Sequence, residues 1–341
     1  MGRITLKDVS EHAGVSRSTA SLVLNDDPSI PEVTKKRVRA SMLELGYVYN
    51  RQAATLRSQK SMALGLVVTE IRNEYFAELA MSLEGAAYEA GYTLLLCYSR
   101  DDLRRQETQI ERLFERGVDG LVLLPAAETE PAKMDLLLRG SQVPFVLLAR
   151  HFGLEHDYVG ADNIRAGELL GAHISSLGAR SVSILGGPAS TSAGLERIDG
   201  FTRSVSGAGI EVVPEQRITS HTNASDGARA TARLLDGGTL PDVIVAYSDV
   251  IAVGVYAELH ARGLRPGTDI AVAAFDDIPG SEHQVPPLTT VATFPSAIGL
   301  ACGELLLRRI AEGVPESYSH TLIEPQLRIR ASTVSWRPRH G

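Results

Sequence analysis

Arg17, Ser18, Ser21 and Leu22 fall on one face of a short helical pattern whose other face carries Ala20, Val23 and Leu24. A guanidinium fork beside hydroxyls suits base edges and phosphates. Such a face is useful only on a helix held in place. Thr5 and Asp8 supply a helix start, a hydroxyl at the cap and a carboxylate three residues on. Leu6, Val9 and Ala13 give its apolar spacing, and Gly14 tolerates the left-handed conformation that ends a helix. Val15 plugs the turn, and Ser16 caps a second helix running to about Asn25. Two short helices broken by one glycine read as a helix-turn-helix, whose second helix enters the DNA major groove. An αα-hairpin packed as core would show the same pattern.

A third helix is expected from Pro31 and Glu32, with Val38, Met42 and Leu45 buried and Gly46 at its end. Lys35, Lys36, Arg37 and Arg39 are assigned to its exposed face, where they would meet phosphate. Charge sets this piece apart. Residues 1–60 hold ten Lys/Arg and six Asp/Glu, a net of +4, against −11 for the remainder and −7 for the whole chain. Phosphate contacts need only such a local basic face. Residues 49–58 then offer Asn50 as a cap, with Ala53, Ala54 and Leu56 enough for about two helical turns. Alone in water so short a helix is marginal, so it either folds with a partner and DNA or serves as a plain linker.

The remaining 280 or so residues read as an α/β body. Unalternating apolar runs at 62–69, 93–98, 118–124, 143–148, 182–186, 242–247 and 270–275 suit strands buried on both faces of parallel sheets. Helical patterns at 75–90, 103–116, 164–177, 197–206, 226–235, 250–261 and 297–311 alternate with them, which means doubly wound sheets. Gly91, Gly117, Gly140, Gly178, Gly209, Gly237 and Gly263 each stand where a helix ends.

Enzyme signatures are missing. Gly186, Gly187 and Gly194 do not make G-x-G-x-x-G, and no G-x-x-x-x-G-K-[ST] loop occurs. His151 and His156 share a loop without a third ligand, so neither metal nor cofactor is expected. Cys97 in a buried strand and Cys302 in a helix read as small core residues that fit a reducing compartment. With no signal peptide and no long apolar run, a cytoplasmic protein without membrane contact is expected.

The strings T-L-K-D-V, A-G-V-S, L-E-L-G-Y and N-R-Q-A between Thr5 and Leu56 resemble the headpiece and hinge of the lactose-repressor/galactose-repressor (LacI/GalR) family of bacterial transcription regulators. The resemblance implies that Arg17, Ser18 and Leu22 read the major groove. It implies backbone or minor-groove contacts for Thr5, Ser16, Ser21, Asn25, Asn50, Arg51 and Ala53, with Leu56 levered into a central base step. The family's last base-reading position is very often arginine. Leu22 there favours an apolar contact such as a thymine methyl.

The body resembles the same family's two-lobed periplasmic-binding-protein-like fold, with crossovers near Gly160, Ala292 and Ile323 and a ligand in the cleft at the carboxyl ends of the strands. The implied organisation is a 1–48 helix-turn-helix headpiece, a 49–60 hinge and a 61–341 effector-binding and dimerisation domain. Its first lobe covers about 61–160 and 293–322, its second about 161–292 and 323–335.

Positions matching the family's ligand site are Tyr75 and Phe76, able to stack on a ring, Arg197, expected to open a helix, and Asp276, at a strand end. Core packing fits Tyr75 and Phe76 equally, and Asp276 also suits a helix cap or a lobe-closing ion pair. Three positions depart from the family: Ala149-Arg150 replaces an aspartate, Ser248 an asparagine, and Thr222 an aromatic. Arg150 then either receives an anionic ligand or pairs across the cleft.

The expected protein is a repressor that binds double-stranded, pseudo-palindromic operator DNA and answers to a sugar, sugar phosphate or related effector. A cytoplasmic sugar-binding or sugar-processing protein with an accessory helical bundle is the alternative. No leucine heptads follow position 335, so a homodimer rather than a tetramer is expected, built on the helices near 75–90 and 250–261.

Overall fold

The computed structural model describes residues 4–24, 26–48, 60–188, 190–238, 240–313 and 317–338. The chain separates into two compact units, Met1–Ser61 and Met62–Gly341. In the first unit α1 (Leu6–His12), α2 (Arg17–Leu24) and α3 (Glu32–Leu45) close around Val9, Ala13, Ala20, Val23 and Val38. The turn between α1 and α2 uses Gly14 at φ +61°, and Gly46 ends α3 at φ +65°. Leu24 is half-buried. Asn25, Asn50, Arg51, Ala53 and Leu56, and with them the expected hinge helix, lie outside the described residues.

The second unit opens with β1 (Ala63–Val68), α4 (Glu74–Glu89), β2 (Thr93–Tyr98), α5 (Leu103–Glu115), β3 (Gly120–Leu123), α6 (Pro131–Gly140), β4 (Phe145–Leu148) and β5 (Tyr158–Ala161). The chain crosses to a second lobe for α7 (Asn163–Ser176), β6 (Ser181–Leu185), α8 (Ser192–Ser206), β7 (Glu211–Ile218) and α9 (Ala224–Asp236). There β8 (Val243–Ala246), α10 (Asp249–Ala261), β9 (Ala271–Asp276), a 3-10 turn (Pro279–Ser281) and β10 (Thr289–Ala292) follow. It returns for α11 (Pro295–Glu312) and β11 (His320–Ile323), then crosses again to β12 (Gln326–Arg328) and α12 (Ala331–Val334).

The first sheet runs β11-β5-β4-β3-β1-β2, parallel throughout, in register from Ala63 opposite Thr93. The second runs β12-β10-β9-β8-β6-β7, parallel except for β12. In each sheet strand order reverses beside the first strand, between β1 and β3 and between β6 and β8. Crevices open at such points because neighbouring loops leave in opposite directions. Both faces of both sheets are covered by apolar clusters, which is why the strands read as continuous hydrophobic runs.

Several expectations need correction. The run at 93–98 is an edge strand, and its Cys97 is only half-buried. α8 begins five residues before Arg197, at Ser192. Gly237 stands just past a helix as expected, whereas Gly140 is the last residue of α6 and the left-handed backbone there falls on Gln142. The eight-residue β7 and the short strands β5, β10, β11 and β12 were not anticipated, and α6 only through Gly140 at its end. Where α7 meets α8, a Cβ on Gly167 or Gly200 would collide with the carbonyl of Arg197 or Ile164. The two backbones therefore touch, which brings Asn163 beside Arg197.

Candidate functional site

Thr5 caps α1 in both directions: its Oγ1 accepts from the Asp8 amide at 3.4 Å, and its own amide donates to Asp8 Oδ2 at 2.7 Å. Ser16 caps α2 by accepting from the Thr19 amide at 3.0 Å, and its hydroxyl is also within 2.7 Å of Ser18 Oγ. With its start secured, α2 leaves Arg17, Ser18 and Leu22 exposed on one side and buries Ala20 and Val23 on the other. Ser21 is half-buried.

Lys35 departs from expectation. It is buried, its Nζ 3.1 Å from Asp26 Oδ1 and 3.2 Å from the Asp26 carbonyl. Hydrogen bonding to Lys35, more than to Arg39 at 2.6 Å, holds the Asp26 carboxyl below its ordinary range. Lys35 therefore ties α3 to the turn before it and has no free charge for phosphate. Lys36 and Arg37 stay exposed.

In the body, six expected residues line one cavity of about 370 Å³, open solvent included: Tyr75, Phe76, Arg150, Arg197, Thr222 and Asp276. All sit at or beyond strand carboxyl ends, in both lobes. The seventh, Ser248, is not among the lining residues. It is buried at the N-cap position of α10, its hydroxyl without a partner among the described residues. Asn73, Ala193 and Tyr247 line the cavity and were missed. Asn73 also caps α4, its Oδ1 accepting from the Tyr75 amide at 3.0 Å, so the sequence shows it as punctuation.

Arg197 is the centre of the arrangement. Its Nη2 donates to Asp276 Oδ1 at 3.0 Å, its Nε to Asn163 Oδ1 at 2.9 Å and its Nη1 to the Tyr247 carbonyl at 2.9 Å. The guanidinium lies 4.9 Å from the Phe275 ring centre and 5.3 Å from that of Tyr247. Both charged side chains are under a tenth exposed and belong to the second lobe, so their pair does not close the lobes. Burial pushes the Asp276 carboxyl up to about 6 against the pull of Arg197.

Asp276 and Asp277 have φ of +111° and +55°, a strained corner. Asp249 braces it by accepting from the Ile278 amide at 3.0 Å, Ser281 Oγ at 2.5 Å and Thr290 Oγ1 at 2.6 Å.

Arg150 is buried too, but its partners are Asp101 Oδ1 at 3.1 Å and the Pro125 carbonyl at 3.3 Å. Both belong to the first lobe, so it makes no ion pair across the cleft. Tyr75 and Phe76 meet edge to face at 5.1 Å and join the first-lobe core while lining the cavity. Among the described residues no group of three metal-ligating side chains occurs.

An exposed reading helix on one unit and a polar cleft in the other define a DNA-binding regulator that answers to a ligand. Residues 5–50 match the model for bacterial regulatory proteins, lacI family, and residues 172–333 that for a periplasmic binding protein-like domain. The HTH-type transcriptional repressor PurR of Haemophilus influenzae (strain PittEE) is 30% identical over 334 residues, 97% of this chain and 99% of that protein. The ribose operon repressor of Escherichia coli (strain K12) is 29% identical over 90% of this chain and 93% of its own length. A transcriptional regulator CelR–cellobiose complex superposes with a TM-score of 0.73 at 29% identity, covering 97% of this chain and 100% of that one. The Lac repressor dimer bound to operator and anti-inducer shares the fold, with a TM-score of 0.87 at 24% identity over 97% of this chain and 99% of that one. The chain belongs to the lacI family and is a DNA-binding transcription regulator.

Proposed function

We propose that the protein is a homodimeric repressor of the cytoplasm that binds a pseudo-palindromic operator and releases or gains affinity for it when a small polyol fills the interlobe cleft. The observation that carries this reading is the capped α2, which holds Arg17, Ser18 and Leu22 outward where a merely structural bundle would have no use for them. Two such helices related by symmetry read two half-sites. Thr5, Ser16 and Ser21, with Asn25, Asn50, Arg51 and Ala53 from the sequence alone, are assigned to the DNA backbone or minor groove, and Leu56 to the wedge between base steps.

For the ligand, each buried guanidinium already has a carboxylate, Arg197 with Asp276 and Arg150 with Asp101. The charges cancel, which favours a neutral sugar over the sugar phosphate or acid that Arg150 suggested. Unused donors of Arg197 and the second oxygen of Asp276 suit vicinal hydroxyls. The ribose operon repressor and the cellobiose complex of a related regulator point the same way.

The dimer face is assigned to α4 and β2, where Met81, Tyr88 and Leu96 are at least half exposed. α10 offers no exposed large hydrophobic among the described residues, against the expectation that it would contribute.

The test is selection of DNA from a random duplex pool by the full chain, with a thermal-shift panel of pentoses, disaccharides, sugar phosphates and purines. A two-fold symmetric consensus and one stabilising sugar support the reading. Failure to enrich any sequence would leave the sugar-binding alternative.

A further inference from the structure

Taking the cleft as the ligand site, we propose that His151 and Glu196 form a latch that holds the two lobes together before ligand arrives and passes closure to Arg197 through Asn163. His151 lies just beyond β4 in the first lobe, and Glu196 is on α8 in the second. The link is double. The His151 amide donates to Ser192 Oγ at 2.9 Å, and its ring Nε2 lies 2.8 Å from Glu196 Oε1. Facing a carboxylate, Nε2 carries the proton and donates. The ring is fixed from the side by Tyr158, edge to face at 5.0 Å. The side chains of His151 and Glu196 are 18% and 27% exposed, so water competes only partly for the bond.

The contact does not end at the carboxylate. Glu196 Oε2 accepts from Asn163 Nδ2 at 3.2 Å, and Asn163 Oδ1 accepts from Arg197 Nε at 2.9 Å. A carboxamide has one donating and one accepting end, and here each faces the group that needs it. Asn163 is buried, and Arg197 goes on to donate to Asp276. One unbroken hydrogen-bonded line therefore runs from the first lobe to the carboxylate expected to hold ligand hydroxyls. Glu196 and Arg197 are neighbours on α8 and converge on Asn163 from the two sides. His151 and Glu196 thus act as positioning residues: they touch no ligand, yet they fix the side chain that does. A ligand competing for Asp276 is felt at the lobe contact, and opening the lobes frees Glu196, which holds Asn163 against Arg197, from His151. Such coupling requires a network with two arrangements, closed and open, rather than distance alone.

The test uses the full-length chain without ligand, read by amide hydrogen exchange at fixed pH. Variants are His151→Ala, Glu196→Ala, the double variant and Glu196→Gln. Amides of 192–198, in the lobe opposite His151, are expected to exchange roughly tenfold faster in His151→Ala, the population factor of one lost charge-assisted hydrogen bond, and at least as fast in Glu196→Ala, which also frees Asn163. The double variant is expected to match Glu196→Ala, and Glu196→Gln, whose one carbonyl oxygen accepts from Asn163 while its amide donates to the other tautomer of His151, to retain most of the protection. The β8 amides (Val243–Ala246) should be unchanged, whereas a general loss of packing would expose them as well. Unchanged exchange at 192–198, additive effects in the double variant, or faster exchange throughout the lobe would overturn the latch. Failure of the ligand-site reading shows separately, as no melting shift of the wild-type chain with any sugar of the panel.

Discussion

Replacing Arg197 by methionine removes a buried cation while keeping much of its apolar bulk over Phe275 and Tyr247. Left behind are Asp276, the Asn163 carbonyl and the Tyr247 carbonyl, each of which loses its bond to the guanidinium. Breaking one side of a buried pair costs about 3–5 kcal/mol, because the remaining group stays out of water without compensation. Removing both members costs much less. Arg197→Met should therefore lower the melting temperature of the two-lobed body by about 6–20 °C, taking roughly 2–4 °C per kcal/mol for a domain of this size. Arg197→Met/Asp276→Asn should recover at least half of that loss. The assay is calorimetry of the full chain, following the transition of the larger unit. A single variant that melts within 2 °C of wild type would refute the pair as a desolvated contact. A double variant no better than the single one would refute the unpaired carboxylate as the source of the cost.

Three further outcomes are expected. Lys36→Ala should weaken binding to all DNA sequences alike and reduce the salt slope by about 0.9, with headpiece melting unchanged, whereas Lys35→Ala should lower headpiece melting because its ammonium ties Asp26 to α3. The stability that wild type holds over Asp249→Asn should fall as pH rises from 5 towards 8: burial, helped by the nearby Asp276 charge, pushes the Asp249 carboxyl up to about 8, so the folded state holds a proton that the unfolded chain has already released. This one group contributes a slope of at most about 1.4 kcal/mol per pH unit, the amount by which the pH slopes from denaturant titrations of wild type and Asp249→Asn should differ. Leu56→Ala should weaken operator binding and reduce DNA bending, read by gel mobility of permuted fragments, without changing the melting of either unit.

The headpiece was the most legible part of the chain, because its caps are local: Thr5 with Asp8, Ser16 with Thr19 and Gly14 at the turn are fixed by neighbours three residues away or fewer. Parallel strands buried on both faces were equally plain. Lys35 was misread although the signal was present. It continues the stripe of Val38, Met42 and Leu45 at helical spacing, and only its charge hid that. α6 also left a trace, Pro131 at its start with Met134 and Leu138 four residues apart. β5 and β12 left almost none, being four and three residues long, one with a glycine and the other half-exposed. The cleft was partly legible, since residues following strand ends converge wherever strand order reverses. Its pairings were not. Arg150 with Asp101 and His151 with Glu196 join segments 49 and 45 residues apart, and nothing local in either member names the other.

The most direct test of ligand-controlled DNA binding is the affinity of the full chain for its selected operator at fixed salt, with and without the sugar that raises its melting temperature. A change of at least about fivefold is predicted, within the usual range of coupling between sites, and it should vanish in Asp276→Asn. An affinity unmoved by a saturating, stabilising sugar would contradict the account.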